Sequence, residues 1–186
     1  MSDLAILFGR PQRAPEADDR FELEVLAAEE LGLESYAIPL DRVVDGEPER
    51  ALRSLPRPRD RRWLYRGWML NEEEYTALFE AVGDRGEELV VDPESFALAT
   101  YAPNYLPLLG GHTAPARWTE GESIREAWEV AQELGPPPWV VKDHVKSAKE
   151  EWLRATFVPA GADYDDFEAV CERLLELRGD RFERGF

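Results

Sequence analysis

Lys142, Lys146 and Lys149 are the only lysines in a chain whose other 19 basic residues are all arginine. They fall within eight positions of one another, in the stretch WVVKDHVKSAK that runs from Trp139 to Lys149. Where arginine fills the routine surface positions, lysine is kept for places that want a compact, flexible point charge, and such a charge binds phosphate without a planar fork. Lys142 is expected at the end of a strand, Trp139–Lys142, beside Val140 and Val141. A lysine among apolar neighbours needs a partner or an anion. The plain alternative is an edge-strand lysine that discourages aggregation. Lys146 and Ser147 follow in a charged turn. There they could close over the same anion, lysine by charge and serine through its hydroxyl and backbone N–H, or they could simply be solvated. Asp143 is placed to pair with either lysine.

Arg66 is the other cation of interest. It ends an expected strand just before Gly67 and a helix start at Asn71, which is where ligands approach an open α/β sheet and where an anion is held at a helix N-terminus. A surface salt bridge is its alternative. His112, in a GGHT turn, and His144, beside the lysines, are weaker candidates because neither has a visible partner. Cys171 falls on the apolar face of a helix and reads as a packed core residue. The chain has no GxxxxGK[ST] phosphate loop, no GxGxxG turn and no GxSxG elbow. Two histidines and one cysteine without ligand spacing argue against a zinc site.

The elements that must position these residues follow a βαβ order. Leu4–Phe8 reads as a buried strand and residues 9–15 as a loop rich in Pro, Gly and Arg. Asp18 or Asp19 caps a helix with Phe21, Val25, Leu26 and Leu31 on one face, ended by Gly32. Ser35–Leu40 and Arg61–Arg66 are strands, separated by a charged stretch with a short helix around Glu47–Ser54. Asn71 and Glu74 form a capping box for a helix carrying Tyr75, Leu78, Phe79 and Val82. Glu88–Val91 is a fourth strand, and Asp92-Pro93 opens a short helix. Residues 101–122 read as irregular. Ser123, with Glu126, caps a helix that GPPP stops. Trp152–Pro159 is a strand, and Asp163 or Asp165 starts a last helix faced by Phe167, Val170, Cys171, Leu174 and Leu175. RFERGF at 181–186 has no evident packing role. The expected class is α/β with an open and mostly parallel sheet.

Composition sets the limits. At 186 residues with 44% apolar residues and six tryptophans, the chain can bury a proper core. A net charge of −17 repels a phosphate backbone on average, so nucleic acid is not an expected partner. No apolar run is long enough to span a membrane, and MSDLAILFGR lacks the basic region of a signal peptide, so a cytoplasmic protein is expected.

RGWML, the helix with EEYTALFEAV, the run PNY…T…RW, then VVKDHVKSAKEEW and ATFVPAG together resemble the ATP-grasp superfamily, in the clade named for one arginine and two lysines. The resemblance spans roughly residues 4–182 and is strongest at 65–70 and 139–158. KDxVKSxKxxW is its most specific part, with seven fixed positions after a strand. The resemblance implies an α/β pre-ATP-grasp domain at 1–105, followed by the α+β N-terminal lobe of an ATP-grasp domain at 106–186. It implies ATP and Mg²⁺ as cofactors and a small carboxylate or peptide as substrate. Lys142 would reach the nucleotide phosphates, with Asp143 and Ser147 beside it. Lys146 would cover them from the turn, and Arg66 would hold the carboxylate or the phosphate it becomes. Such enzymes phosphorylate a carboxylate and let an amine displace the acyl phosphate. Family members continue into a second lobe that supplies the adenine hinge and the acidic Mg²⁺ ligands, which are not identifiable in this sequence. A homodimer or a second polypeptide would then complete the cleft. A non-catalytic remnant serving as a binding module is the alternative, and an anion sensor using Arg66 without ATP is a third reading.

Overall fold

The computed structural model describes residues 4–11, 16–57 and 60–186. The expected loop at 9–15 and the charged stretch at 41–60 therefore lie partly outside the described residues. The chain divides into two compact units, Met1–Ala97 and Leu98–Phe186.

The first unit is built on β1 (Leu4–Arg10), whose apolar run is buried from both faces. Ala5 and Leu7 join the main core, while Phe8, on the opposite face by strand alternation, meets Phe21 at 5.9 Å between ring centroids. Asp18 caps the turn at Phe21, and α1 (Glu22–Glu30) follows. Gly32, at φ +68°, ends it as expected. The face expected for this helix is corrected: Phe21 and Ala28 are buried, but Leu26 and Leu31 are exposed, because the helix lies on the sheet through its narrower Phe21/Ala28 side. β2 (Glu34–Pro39) runs straight into α2 (Leu40–Val44), a helix the sequence reading missed, and α3 (Pro48–Ala51) follows. β3 (Arg62–Arg66), α4 (Glu72–Asp84) and β4 (Glu88–Leu89) complete the sheet. β4 is shorter than expected, since only Glu88 and Leu89 pair with β3.

The sheet order is β2-β1-β3-β4 and every described pairing is parallel. Leu7 is opposite Tyr36 on one side and Tyr65 on the other, and Arg66, the last residue of β3, is opposite Phe8, so β1 runs on to Arg10 beyond the end of β3. The capping box at α4 is complete: Asn71 Oδ1 accepts from Glu74 N–H and Glu74 Oε2 from Asn71 N–H, each at 2.8 Å. Tyr75 stacks on Phe96 at 3.8 Å and donates its hydroxyl to the Val91 carbonyl at 2.8 Å. Burial pushes the Tyr75 phenol up to about 12. α5 (Pro93–Thr100) starts after Asp92, whose carboxylate accepts from Ser95 N–H.

The second unit opens with α6 (Ala102–Leu109), in the stretch expected to be irregular. Proline ordinarily breaks a helix. Pro103, though, sits in the first turn, where no intrahelical N–H is needed. α7 (Ile124–Ala131) is capped by Ser123, which accepts from Glu126 N–H, and Gly135 at φ +87° follows its last turn. β5 (Trp139–Val140) pairs antiparallel with β6 (Phe157–Val158), and between them lies α8 (Trp152–Ala155). Two expected strands are thus shortened. Trp139–Lys142 stops pairing after Val140, apart from one bond from Val141 N–H to the Thr156 carbonyl at 2.7 Å. The Trp152–Pro159 strand begins only at Phe157, because WLRA turns helical first. α9 (Tyr164–Arg178) has a full capping box between Asp163 and Asp166 and ends at Gly179. Its Phe167, Val170, Cys171 and Leu174 are buried, as read from the sequence, with Leu175 only partly so.

Residues 181–186 are a further correction. Phe182 and Phe186 pack on the core of the second unit and on each other at 5.0 Å. Thr119 N–H donates to the Phe186 carbonyl at 2.9 Å, and His144 N–H to that of Glu183 at 3.2 Å. Gly185 passes so close to the Thr119 carbonyl that any Cβ there would collide with it.

Cys171 is fully buried, and burial holds its thiol far above the usual range. Native protein is therefore expected to resist iodoacetamide at pH 8, with labelling appearing only on unfolding. Mass spectrometry of the intact chain reads this directly, and rapid labelling of folded protein would contradict it.

Candidate functional site

The candidate site in the second unit is a loop held at several points. After β5, Val141 is buried and Lys142 half-buried. The chain then turns around Asp143, which is 1% exposed. Its Oδ1 accepts the N–H groups of Val145, at 2.9 Å, and Lys146. Its Oδ2 accepts from Arg178 Nε at 2.7 Å and from Glu183 N–H at 3.5 Å. Asp143 N–H returns to the Lys146 carbonyl at 3.0 Å. At the far end Thr156, fully buried, accepts Ala148 N–H at 3.1 Å and donates to the Ala148 carbonyl at 3.3 Å. Beyond it Glu151 is bound by Arg173 Nε at 2.9 Å. The loop is thus tied to β6 through Thr156 and to α9 through Arg178 and Arg173.

Beside this loop is a cleft of about 490 Å³. Trp118, Val130, Leu134, Trp139 and Val141 give it apolar walls, and Lys142, Asp143 and His144 are part of its lining. Lys142 makes no hydrogen bond and no ion pair with any described residue. Burial holds its pKa below the ordinary lysine value. The Asp143 carboxylate opposes that shift, and the charge of Lys149 adds to it. A half-buried ammonium without a partner, with a second cation close enough to be felt, is a place where an anion would lower the energy.

The other sequence candidates divide as follows. Lys146 is exposed and Ser147 half-buried in the turn, and neither lines the cleft. Asp143 has all its acceptor positions engaged by the chain's own donors, so its work is to hold the turn. His144 is 3% exposed, with Nε2 2.8 Å from the Thr119 carbonyl and its own carbonyl accepting Ala102 N–H at 2.7 Å. That is a structural setting. His112 is exposed in a single turn of 3₁₀ helix. Sequence reasoning did not single out Arg178, Thr156 or the 182–186 segment. The apolar pair Phe182 and Phe186, four residues apart, was the available signal for that segment.

Arg66 belongs to the first unit, where it is the last residue of β3. A bidentate pair joins it to Glu24, through Nε and Nη2, the latter at 2.6 Å, and its guanidinium lies 5.2 Å from the Phe21 ring centroid. Gly67 is required next to it. A Cβ there would collide with the Tyr65 hydroxyl and lie 2.7 Å from Leu40 Cδ1, disturbing the 2.6 Å bond from that hydroxyl to the Trp68 carbonyl. Arg66 and its hydrogen bonds hold the Glu24 carboxyl below its usual range. The pair's contribution is present above about pH 4.5 and fades as Glu24 protonates. Both partners are substantially exposed, so Arg66→Ala is expected to change urea-unfolding stability by less than about 1 kcal/mol. A larger loss would mean that Arg66 has a structural duty beyond this pair.

Among the described residues no group of three His, Cys, Asp or Glu side chains is disposed to hold a metal ion.

The chain thus has an open parallel α/β unit followed by an α+β unit whose cleft is lined in part by a lysine without a partner among the described residues. Residues 133–186 match the family model for the ATP-grasp domain, family 3 of the clade named for its arginine and two lysines. The fold is similar to that of a RimK domain ATP-grasp protein from Sphaerobacter thermophilus, with a TM-score of 0.50 and 20% identity, over 99% of this chain and 61% of that one. The chain thus spans less than two thirds of the length of that structure. A search of curated proteins returns no match. Residues 133–186 are thus similar to an ATP-grasp domain, and the fold of the chain is similar to that of an ATP-grasp protein. No helix among the described residues is long and apolar enough to cross a membrane.

Proposed function

We propose that the chain binds ATP through its second unit, as part of an ATP-dependent carboxylate–amine ligase that works through an acyl phosphate. The observation that carries this reading is Lys142, a cation without a partner among the described residues, in an apolar cleft and inside the segment that matches the ATP-grasp family. In this reading Lys142 takes the nucleotide phosphates and Lys149 adds to the local positive potential. Lys146 and Ser147 close over the phosphates from the turn, and Asp143 acts by fixing the backbone that carries them. Arg66 is assigned the substrate carboxylate, which would have to displace Glu24 to reach it. Charge on the transferring phosphoryl group is offset by the lysines and by the Mg²⁺ that accompanies ATP. Acyl phosphate formation releases ADP, and the attacking amine then releases inorganic phosphate. The substrate is a small carboxylate or a peptide. The cytoplasm, where ATP is abundant, is the expected compartment.

A second reading is a binding module that keeps the fold without the chemistry. It is favoured by the Arg66–Glu24 pair, which already neutralises the would-be substrate cation. Thermal unfolding with and without Mg²⁺-ATP, in wild type and in Lys142→Ala, separates the two. A midpoint that rises only in wild type supports nucleotide binding. An unmoved midpoint in both proteins removes the ligase reading for this chain.

A further inference from the structure

Lys142 is half-buried in the cleft lining, without a hydrogen bond or ion pair to any described residue, whereas Lys146 and Lys149 are exposed. Its surroundings have two consequences for chemistry. The apolar walls of Trp139 and Val141 beside it disfavour the ammonium and so raise the share of free amine, an effect that the charge of Lys149 reinforces and the Asp143 carboxylate partly offsets. That same Lys149 charge attracts a phosphate group towards the loop. A reagent joining an electrophilic carbonyl to a phosphate would find both a recruiting charge and a nucleophile. Acyl phosphates are such reagents.

We infer that Lys142 is a selective acylation site for small acyl phosphates, and that its acylation closes the anion site. The neutral Nζ attacks the carbonyl carbon, and the tetrahedral adduct collapses with cleavage of the carbon–oxygen bond to phosphate. Inorganic phosphate leaves with the electron pair and takes up the proton that the nitrogen releases. The product is a neutral amide. It keeps the side chain in the cleft but removes its charge, so anions are no longer held there.

The inference deepens the nucleotide reading in its regulatory consequence, yet the acylation step itself needs no ATP. Wild-type chain is incubated with acetyl phosphate, and the three lysines are followed by peptide mass spectrometry, each serving as a control for the others. Lys142 is expected to acetylate at least about five times faster than Lys146 and Lys149, and to be slowed by inorganic phosphate. Acetylation of Lys142 no faster than that of both exposed lysines would overturn the proposal. The unmodified protein's response to Mg²⁺-ATP is read separately. A thermal shift without selective acetylation sinks only the acylation site, and selective acetylation without a shift sinks only the nucleotide reading.

Discussion

Replacing Asp143 by alanine is expected to cost about 3 kcal/mol of stability in the second unit, close to what removing one partner of a buried ion pair does elsewhere. The side chain is fully buried and serves four donors: two backbone N–H groups of its own turn, the Arg178 guanidinium and the Glu183 N–H. Truncation leaves Arg178, itself only 20% exposed, facing a void and strands the amides of Val145 and Lys146. Asp143→Asn keeps an acceptor for the turn while losing the charge, so its loss should be smaller, about 1–2 kcal/mol. Urea unfolding followed by tryptophan fluorescence is suited to this measurement, because Trp118, Trp128, Trp139 and Trp152 all report on the second unit. A loss below about 1 kcal/mol for alanine would mean that the turn is held by its backbone alone.

The second large effect is the response to nucleotide. At about one hundred times its dissociation constant, a ligand that binds only the folded chain stabilises it by about 2.7 kcal/mol, and Lys142→Ala is expected to lose most of that. The pH dependence follows from the direction of the Lys142 shift. Its pKa in the folded chain is held below 10.5, so the charged form costs stability at neutral pH and the cost is relieved as pH rises through the lowered value. A bound phosphate favours the charged form. ATP-dependent stabilisation should therefore be full at pH 7 and decline on the alkaline side before ordinary lysines titrate. Without ligand, Lys142→Met should leave the stability unchanged or raise it by up to about 1 kcal/mol, since an apolar group replaces a cation without a partner among the described residues. A nucleotide shift of equal size in wild type and in both variants would remove Lys142 from the site.

Much of the first unit could be read from its sequence because its signals are local. Leu4–Phe8 is an apolar run, Gly32 stops a helix, and Asn71 with Glu74 caps one in the spacing that capping requires. The ATP-grasp resemblance could be read for the same reason, since KDHVKSAKEEW keeps its lysines, serine and tryptophan in one continuous stretch. What failed depended on distance or on context. Residues 101–122 read as irregular, but α6 forms there, and its Pro103 stands in the first turn, where a helix tolerates proline. Leu26 and Leu31 had the right spacing for a buried face, yet the sheet beneath α1 accepts only its Phe21/Ala28 side. The Asp143–Arg178 pair joins residues 35 positions apart, and nothing near Asp143 announces its partner. Residues 182–186 seemed spare because their contacts are with Thr119, His144 and the core, all remote in sequence.

The loop tied down by Asp143 and Thr156 has a consequence for the kinetics of recognition. The backbone on both sides of Lys142 is already fixed, so an arriving anion has to order one lysine side chain and not a whole segment. That limits the entropic penalty at this position to about 2 kcal/mol, against 1–2 kcal/mol for every residue of a loop that had to settle on contact. Encounter and capture should then be nearly the same event, with association governed by charge and diffusion and residence time set by how firmly one ammonium holds.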